Sequence, residues 1–421
     1  MRVWILNVGE ELPSDPGTPR LLRAAILARE MARRGHDVTW WNSSVNHQQK
    51  IQRTARTTSL GTVGGLETVL LWGRLYRSNR SLARIVSNCE TACAFLREAE
   101  RREPPDAIIA GYPIIELAAA AVYYAARHRV PVAIDFRDMW PDIIEDELTG
   151  WRRLLAWPLL TLWRLMKRSI VRRATAIVGV TQGFVDWALD STSVGAKERT
   201  RVFHLAVDPL QPDTDLIEAA GKFWDGLGVE NSGSAVVLAY AGAFSTRYDL
   251  ATLVHAACRL PEKYKACLRI VLCGRGDMSE ALQRLAYGQS HILLPGWRSA
   301  AEIHVLLRRS HAGILPYFST RDYSCHFPNK VGEYLSAGLP IMTCLKGETH
   351  RLLSERGIGL FYEEGSIAAA RGAMMTAVDR SSALTQMRPA ALRAYTELFD
   401  AKHIYSEYCS FVEQLAEPHE S

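Results

Sequence analysis

The chain opens on a short apolar run, Arg2 to Asn7 (RVWILN), and then repeats one rhythm almost to its end. An apolar run without alternation fits a strand covered on both faces. A loop rich in Gly, Pro and Asp follows, from Val8 to Pro19. From Arg20 to Arg34, residues Leu21, Leu22, Ala25, Ile26, Ala28 and Met31 fall at three- and four-residue spacing, the apolar stripe of a helix. Gly35 ends that helix as a C-terminal cap, and Val38 to Trp41 starts a second strand. This is a βαβ unit, which requires a parallel sheet with helices on both faces.

The rhythm continues with strands expected at Ala107–Ala110, Val132–Phe136, Ala176–Val180 and Arg201–Leu205, and helices at Ile114–Arg127 and Gly183–Leu189. Asp208 to Asp213, with two prolines, reads as a hinge. Beyond it strands are expected at Ala235–Tyr240, Leu268–Leu272, Ile292–Leu294, Gly313–Leu315 and Pro340–Thr343. Helices fall between them at Asp249–Ala257, Ala300–Arg309 and Lys330–Ala337. The fold class is therefore α/β, two doubly wound Rossmann-like domains facing across a cleft. At 421 residues, two domains are the natural count. Their expected limits are 1–207 and 208–395, with 396–421 a C-terminal helix returning to the first domain. In such sheets a ligand sits at the carboxyl ends of the strands.

Charge becomes informative only when located. Lys and Arg total 50 and Asp and Glu 45, a net charge of +5. Trp151 to Arg173 holds Arg152, Arg153, Arg164, Lys167, Arg168, Arg172 and Arg173 with no acid, so the remainder carries 43 basic against 45 acidic residues. No nucleic acid partner is expected from such a balance. The same segment carries Trp151, Trp157, Trp163 and six leucines, a composition suited to an anionic membrane interface. A solvated face or a protein interface is the plainer alternative. Pro158 is expected to kink or split its helix. Uncharged stretches reach only about ten residues where a span needs about 20. The eight cysteines form no Cys-x-x-Cys and read as buried hydrophobes in a reducing compartment.

The strongest local motif is Phe327 to Pro340 (FPNKVGEYLSAGLP). Asn329 is placed to cap a short helix, and Gly338 and Pro340 end it. The helix start, with Lys330, suits a phosphate, and Glu333 one turn later suits a diol. An ordinary capped surface helix is the alternative. Tyr240-Ala241-Gly242 ends a strand, and Phe244 and Arg247 follow in its loop. Gly274 and Gly276 form a second turn. In Asp135-Phe136-Arg137-Asp138-Met139-Trp140-Pro141, two carboxylates flank an arginine beside a tryptophan fit to stack on a sugar. An internal Arg–Asp pair is equally open there. The loop Val8–Pro19 has Gly9 and Gly17 for close backbone approach but lacks Gly-x-Gly-x-x-Gly, so no nicotinamide fingerprint is present.

With Gly35-His36-Asp37-Val38, these motifs in this order resemble a bacterial family-4 glycosyltransferase of GT-B fold, of the kind that builds O-antigens, capsules and exopolysaccharides. The resemblance covers nearly the whole chain. It implies transfer of a sugar with retention from a nucleotide-diphosphate sugar, UDP rather than GDP, without metal or other cofactor, to a lipid-linked saccharide. It implies a cytoplasmic protein bound peripherally to the inner face of the plasma membrane. Lys330 would hold the diphosphate and Glu333 the donor ribose; Cys325 stands where many relatives carry a glutamate. Arg247 and Lys330 become the candidates for stabilising the leaving group, with Asp138 orienting an acceptor hydroxyl. Gly242, Phe244, Gly274, Gly276, Trp297 and Asn329 would contact the donor. Gly9, Gly17, His47, Arg137 and Trp140 would contact the acceptor, and Arg152, Arg153, Trp157, Trp163, Arg164, Lys167 and Arg168 the membrane. Two other readings are open: a degenerate membrane-associated scaffold that binds nucleotide sugar, and a UDP-sugar 2-epimerase of the same fold.

Overall fold

The alternation of strands and helices folds into two units, Met1–His204 with Lys402–Ser421, and Leu205–Ala401. The computed structural model describes residues 1–16, 21–79, 81–190, 199–209, 211–230 and 235–417.

The first unit contains strands β1 (Arg2–Leu6), β2 (Asp37–Ser43), β3 (Val45–Asn46), β4 (Ile51–Gln52), β5 (Thr58–Val63), β6 (Leu66–Leu71), β7 (Ala107–Tyr112), β8 (Val132–Phe136), β9 (Ala176–Gly179) and β10 (Thr200–Val202). Eight of them form one sheet in the order β10-β9-β8-β7-β1-β2-β6-β5. Its pairings are parallel except β5 with β6. Every residue of β7 and β8 is buried, which is why these strands read as unbroken apolar runs. Helices Arg23–Arg33, Leu82–Ala99, Ile115–His128 and Gln182–Leu189 pack on the sheet, and Trp151–Arg173 packs on Ile115–His128.

Two elements escape the sequence reading. No strand was expected between Trp41 and Ala107, yet β5 and β6 form an antiparallel hairpin turned by Gly64 and Gly65, both at positive φ; the Leu82–Ala99 helix that follows carries Cys89 and Cys93 one turn apart, as their spacing suggests. Strand β5 is solvent-exposed along nearly its whole length, so no buried stripe marks it. The second difference is at Pro158, where the helix continues unbroken from Trp151 to Arg173. The carbonyl that loses its partner there belongs to Leu154, which faces solvent, and water can satisfy it.

Aromatic rings hold the sheet to its cover. Trp4 lies 5.1 Å from Trp41 and 5.2 Å from Tyr124, and Phe95 of the Leu82–Ala99 helix meets Trp41 edge-on at 5.2 Å. All four rings are essentially inaccessible to water or nearly so. On the C-terminal helix Ala401–Ala416, Tyr408 stacks on Phe203 at 4.3 Å, and Glu413 accepts from Arg34 and pairs with His36.

The second unit contains β11 (Val236–Ala241), β12 (Leu268–Cys273), β13 (Ile292–Gly296), β14 (Ala312–Leu315), β15 (Ile341–Thr343) and β16 (Gly359–Phe361). The order β13-β12-β11-β14-β15-β16 is parallel throughout and reverses between β11 and β14. That reversal is the topological switch point at which ligands of open α/β sheets bind. Two apolar layers flank the sheet, one around Leu238, Leu253, Leu272 and Met374, the other around Trp224, Leu306, Val331 and Tyr334. The helix Ala300–Arg309 is fixed by a capping box between Ser299 and Glu302.

Truncating Phe95 to alanine removes the ring shared by Trp4 and Trp41. The expected cost is about 3–5 kcal/mol, read as a lower denaturant midpoint with an unchanged slope.

Candidate functional site

At the switch point of the second unit, three loops are stitched together by their backbones. Gly242 N–H donates to Cys273 O at 2.9 Å, Phe244 N–H to Arg275 O at 2.9 Å, and Gly274 N–H to Gly296 O at 2.9 Å. The glycines make this possible. A side chain at Gly274 would meet Gly242 O at 1.8 Å, and one at Gly276 would meet Phe244 O at 2.3 Å.

Lys330 enters from the helix Asn329–Ser336. A side chain at Gly242 would stand 2.7 Å from its Nζ, which lies 5.5 Å from the centre of the Tyr240 ring. Gly242, Phe244, Gly274, Gly276 and Lys330 are thus brought together at the strand ends, with Glu333 half-buried one turn along the same helix. Gly242 lets the Lys330 ammonium lie against the end of a central strand, and a cation placed there is suited to an anion. Asn329 does not cap the helix: it is the first helical residue, exposed, and Pro328 holds the cap position. The helix start therefore has no side-chain cap. Phe244 contributes backbone, since its ring belongs to the apolar core. Trp297 lies beyond Gly296 at the edge strand β13, largely exposed.

Arg247 has other partners. Its guanidinium pairs with Asp322 at 3.3 Å and lies 5.1 Å from the Tyr323 ring. Asp322 and Cys325 belong to the short helix Arg321–Cys325. Tyr248 stacks on Tyr317 at 4.3 Å, and Tyr323 meets Tyr317 edge-on at 4.8 Å.

In the first unit, the end of β8 holds a buried charge network. Asp135, fully inaccessible, accepts from Arg23 at 2.8 and 3.2 Å and from Arg137 at 2.9 Å. Arg137 also donates to Glu10 at 2.7 Å. Burial alone would raise the Asp135 carboxyl, but the two guanidiniums outweigh it and hold it below its ordinary value. Arg137 is therefore not positioned as an independent acceptor contact: both of its neighbouring carboxylates claim it. Glu10 accepts the N–H groups of Ala24 and Ala25 at 3.1–3.2 Å, so the chain's own carboxylate occupies the start of the Arg23–Arg33 helix. The loop after β1 thus does not offer that helix start to a phosphate. Gly17 lies outside the described residues.

The other acceptor candidates form a second group. Gly9 packs against His47, 3.8 Å from where a side chain at Gly9 would begin. His47 Nδ1 is 2.6 Å from the Tyr76 hydroxyl. Burial, with Lys50 and Arg84 nearby, pushes the imidazole down to about 4, so His47 is neutral near pH 7. Arg84 lies 5.5 Å from the Trp140 ring, which meets Trp163 at 5.4 Å. Asp138 is half-buried, and Tyr112 donates to Trp140 O at 2.8 Å. Glu10, Arg23 and Tyr408 were not legible as site residues. Only the Glu beside Gly9 hinted at the first of them.

The membrane candidates divide by helix face. Arg152, Trp157 and Arg168 are exposed. Trp163 and Lys167 point inward instead, only 5% and 4% exposed. Trp163 donates to Glu116 at 3.1 Å, and Lys167 donates to Trp187 O at 3.2 Å and lies 3.9 Å from that ring. They sit on the face that the helix must bury. Arg153 and Arg164 are engaged by Glu145. Among the described residues no helix is long and apolar enough to cross a membrane, and no cluster of His, Cys, Asp and Glu has metal-site geometry.

The fold is that of the GT-B class. Sucrose-phosphate synthase from Thermosynechococcus elongatus superposes with a TM-score of 0.71 at 13% identity, covering 98% of each chain. Anabaena HepE, in complex with UDP, gives 0.66 at 13% identity over 98% of this chain and 100% of its own. WaaG, a glycosyltransferase involved in lipopolysaccharide biosynthesis, gives 0.64 at 14% over 98% and 99%. Residues 22–206 match the glycosyl transferase 4-like domain and residues 235–379 the glycosyl transferases group 1 domain. The chain is a glycosyltransferase assembled from these two domains. No curated protein matches its sequence.

Two outcomes test these sites. Gly274→Ala drives a methyl group into Gly242 O, so the stitched loops must part and any ligand-induced thermal shift should vanish. Asp135→Asn leaves Arg23 under-compensated and should cost about 3–5 kcal/mol. Because Asp135 is depressed in the folded state, its stabilisation is complete above the ordinary carboxylate range near 3.9 and fades as pH falls below it. Urea midpoints between pH 7 and pH 3 should drop steeply in the wild type and less in Asp135→Asn.

Proposed function

We propose that this glycosyltransferase moves a sugar with retention from a nucleotide-diphosphate sugar, UDP-linked, to a lipid-linked saccharide in surface-polysaccharide synthesis. The observation that carries the donor half is the Lys330 ammonium above Gly242 at the switch point. HepE is described with UDP and WaaG as acting in lipopolysaccharide biosynthesis, which supports the same choice of donor and setting. The exposed Trp151, Leu154, Leu155 and Trp157, interleaved with Arg152 and Arg153, support work at an anionic membrane surface.

In this reading the bond between the anomeric carbon and the diphosphate breaks while the acceptor hydroxyl attacks on the same face. The departing diphosphate takes the hydroxyl proton. Lys330 and the uncapped N–H groups of its helix meet the charge that develops on the leaving group, with no metal in that role. Glu333 holds the ribose diol, and Arg247 adds its charge after release from Asp322. A second reading is favoured by one pair of observations: Arg247 is engaged with Asp322, and Cys325 stands near it on the same short helix. A chain so arranged would bind nucleotide sugar without transferring it.

The first measurement is thermal unfolding with UDP, GDP, dTDP and NAD, each in excess. A ligand at about 100 times its dissociation constant adds about 2.7 kcal/mol, a shift of a few degrees. UDP is expected to give that shift and NAD none. Lys330→Ala is expected to lower turnover about 100- to 1000-fold with its unfolding temperature unchanged. Full turnover in the folded variant removes Lys330 from the reaction, and UDP binding without transfer in the wild type selects the second reading.

A further inference from the structure

The ion pair between Arg247 and Asp322 joins the two strands that flank the switch point. Arg247 lies in the loop after β11 and Asp322 in the segment after β14, and these strands pair where the sheet order reverses. A ligand at their carboxyl ends meets that pair. The two partners are held very differently. Asp322 is fixed: one carboxylate oxygen accepts from the Thr320 hydroxyl at 2.5 Å, its backbone carbonyl accepts from His326 Nδ1 at 2.6 Å, and its side chain is only 12% exposed. The short Arg321–Cys325 helix that carries it is clamped from outside, because the backbone of Ser324 takes the space that a side chain at Gly347 would need. Arg247 is the movable partner, a long side chain 45% exposed, with one guanidinium nitrogen 3.3 Å from the other Asp322 oxygen. The face of Tyr323, 5.1 Å away, supports the guanidinium independently of that carboxylate.

An ion pair that reaches water is weak and readily exchanged. A diphosphate offers a guanidinium more charge and more acceptor oxygens than one carboxylate does. Drawing Arg247 away leaves a nearly buried carboxylate less compensated, and that penalty subtracts from the affinity of the incoming ligand. The Asp322 carboxylate and a ligand phosphate therefore compete for one guanidinium.

We propose that Asp322 is a positioning residue that sets how tightly the site holds a nucleoside diphosphate: it withholds Arg247 until a phosphate displaces it, and reclaims the guanidinium as the product leaves. This role rests on the donor reading above. A diphosphate leaving group has to be held while charge develops on it and then let go, and its release can limit turnover. A fixed carboxylate competing for a movable cation serves the second need without removing the cation from the first. Tyr323 keeps the guanidinium near its place in both states.

The test is calorimetric titration of the full-length protein with UDP, with the release rate read by chasing labelled UDP with excess unlabelled UDP. Asp322→Asn keeps an oxygen for Thr320 and removes the charge. It is expected to tighten UDP binding about two- to fivefold, mainly through slower release. In an Arg247→Gln background the same exchange should leave UDP affinity unchanged, because the effect passes through the guanidinium. A merely structural Asp322 gives a different result: a lower unfolding temperature, with UDP binding weaker or unchanged. UDP affinity in Asp322→Asn at or below that of the wild type overturns the role and leaves the donor reading standing. A gain that persists in the Arg247→Gln background overturns the role as well. If neither the wild type nor Asp322→Asn binds UDP, the donor reading falls and the role with it. Should Asp322→Asn not fold, Asp322→Ser is read in the same way, and failure of both to fold assigns Asp322 to the framework and overturns the role.

Discussion

A carboxylate with no access to water needs its charge matched at short range, because desolvating it costs several kcal/mol. Asp135 meets this condition by taking two guanidiniums, and much of the first unit is arranged to supply them. Arg23 comes from the first turn of the Arg23–Arg33 helix, Arg137 from the loop after β8, and Glu10 from the loop after β1. Glu10 in turn satisfies the N–H groups of Ala24 and Ala25, so one network fixes a strand end, a helix start and two loops. The Arg23 guanidinium also lies 5.0 Å from the Tyr408 ring, which ties the C-terminal helix to the same centre. Such a network is internally neutral and has little left to offer a ligand.

The second unit solves the opposite problem. Its strand-end site is built by leaving side chains out. Gly242, Gly274 and Gly276 let three loops share backbone hydrogen bonds at a spacing that one methyl group would prevent. Into that space comes one long flexible cation, Lys330, from a helix whose start has no side-chain cap. Charge in the first unit is matched within one buried network, whereas the second unit sets a single lysine at its strand ends. This asymmetry suits a protein in which one domain must present a preorganised cation to a leaving group.

How much of this is readable in advance follows from the period of each signal. Parallel strands buried on both faces appear as apolar runs, so β1, β7, β8, β11 and β12 were legible, as was the α/β class. The β5–β6 hairpin was not, because β5 is exposed and carries no stripe to read. The helix that carries Lys330 was legible because Pro328, Gly338 and Pro340 bracket it. Asn329 misled because a good capping residue sits one position inside the helix it was expected to cap. Arg137 could be seen between two aspartates, but its second partner, Glu10, is 127 positions away, a pairing that only the folded sheet creates. For the same reason counting cations from Trp151 to Arg173 overstated the outward charge: helical phase turns Lys167 inward, and Glu145 engages Arg153 and Arg164.

What remains on that helix is a narrower and more consistent surface. Trp151, Leu154, Leu155, Trp157, Leu162 and Leu165 are each more than half exposed, with Arg152, Arg168 and Arg172 among them. The first turn carries Arg152 and Arg153, no acid of its own and no side-chain cap; Glu145 compensates Arg153, so Arg152 is the charge that adds to the dipole there. In water this arrangement costs twice, once for the leucines and tryptophans and once for the cation at the dipole end. An anionic lipid surface would relieve both costs at once, accepting the apolar side chains below the headgroups and setting negative charge against the arginines. A protein partner could cover the apolar face but would need its own carboxylates at that end to do the same. The membrane setting proposed above would meet both requirements at once.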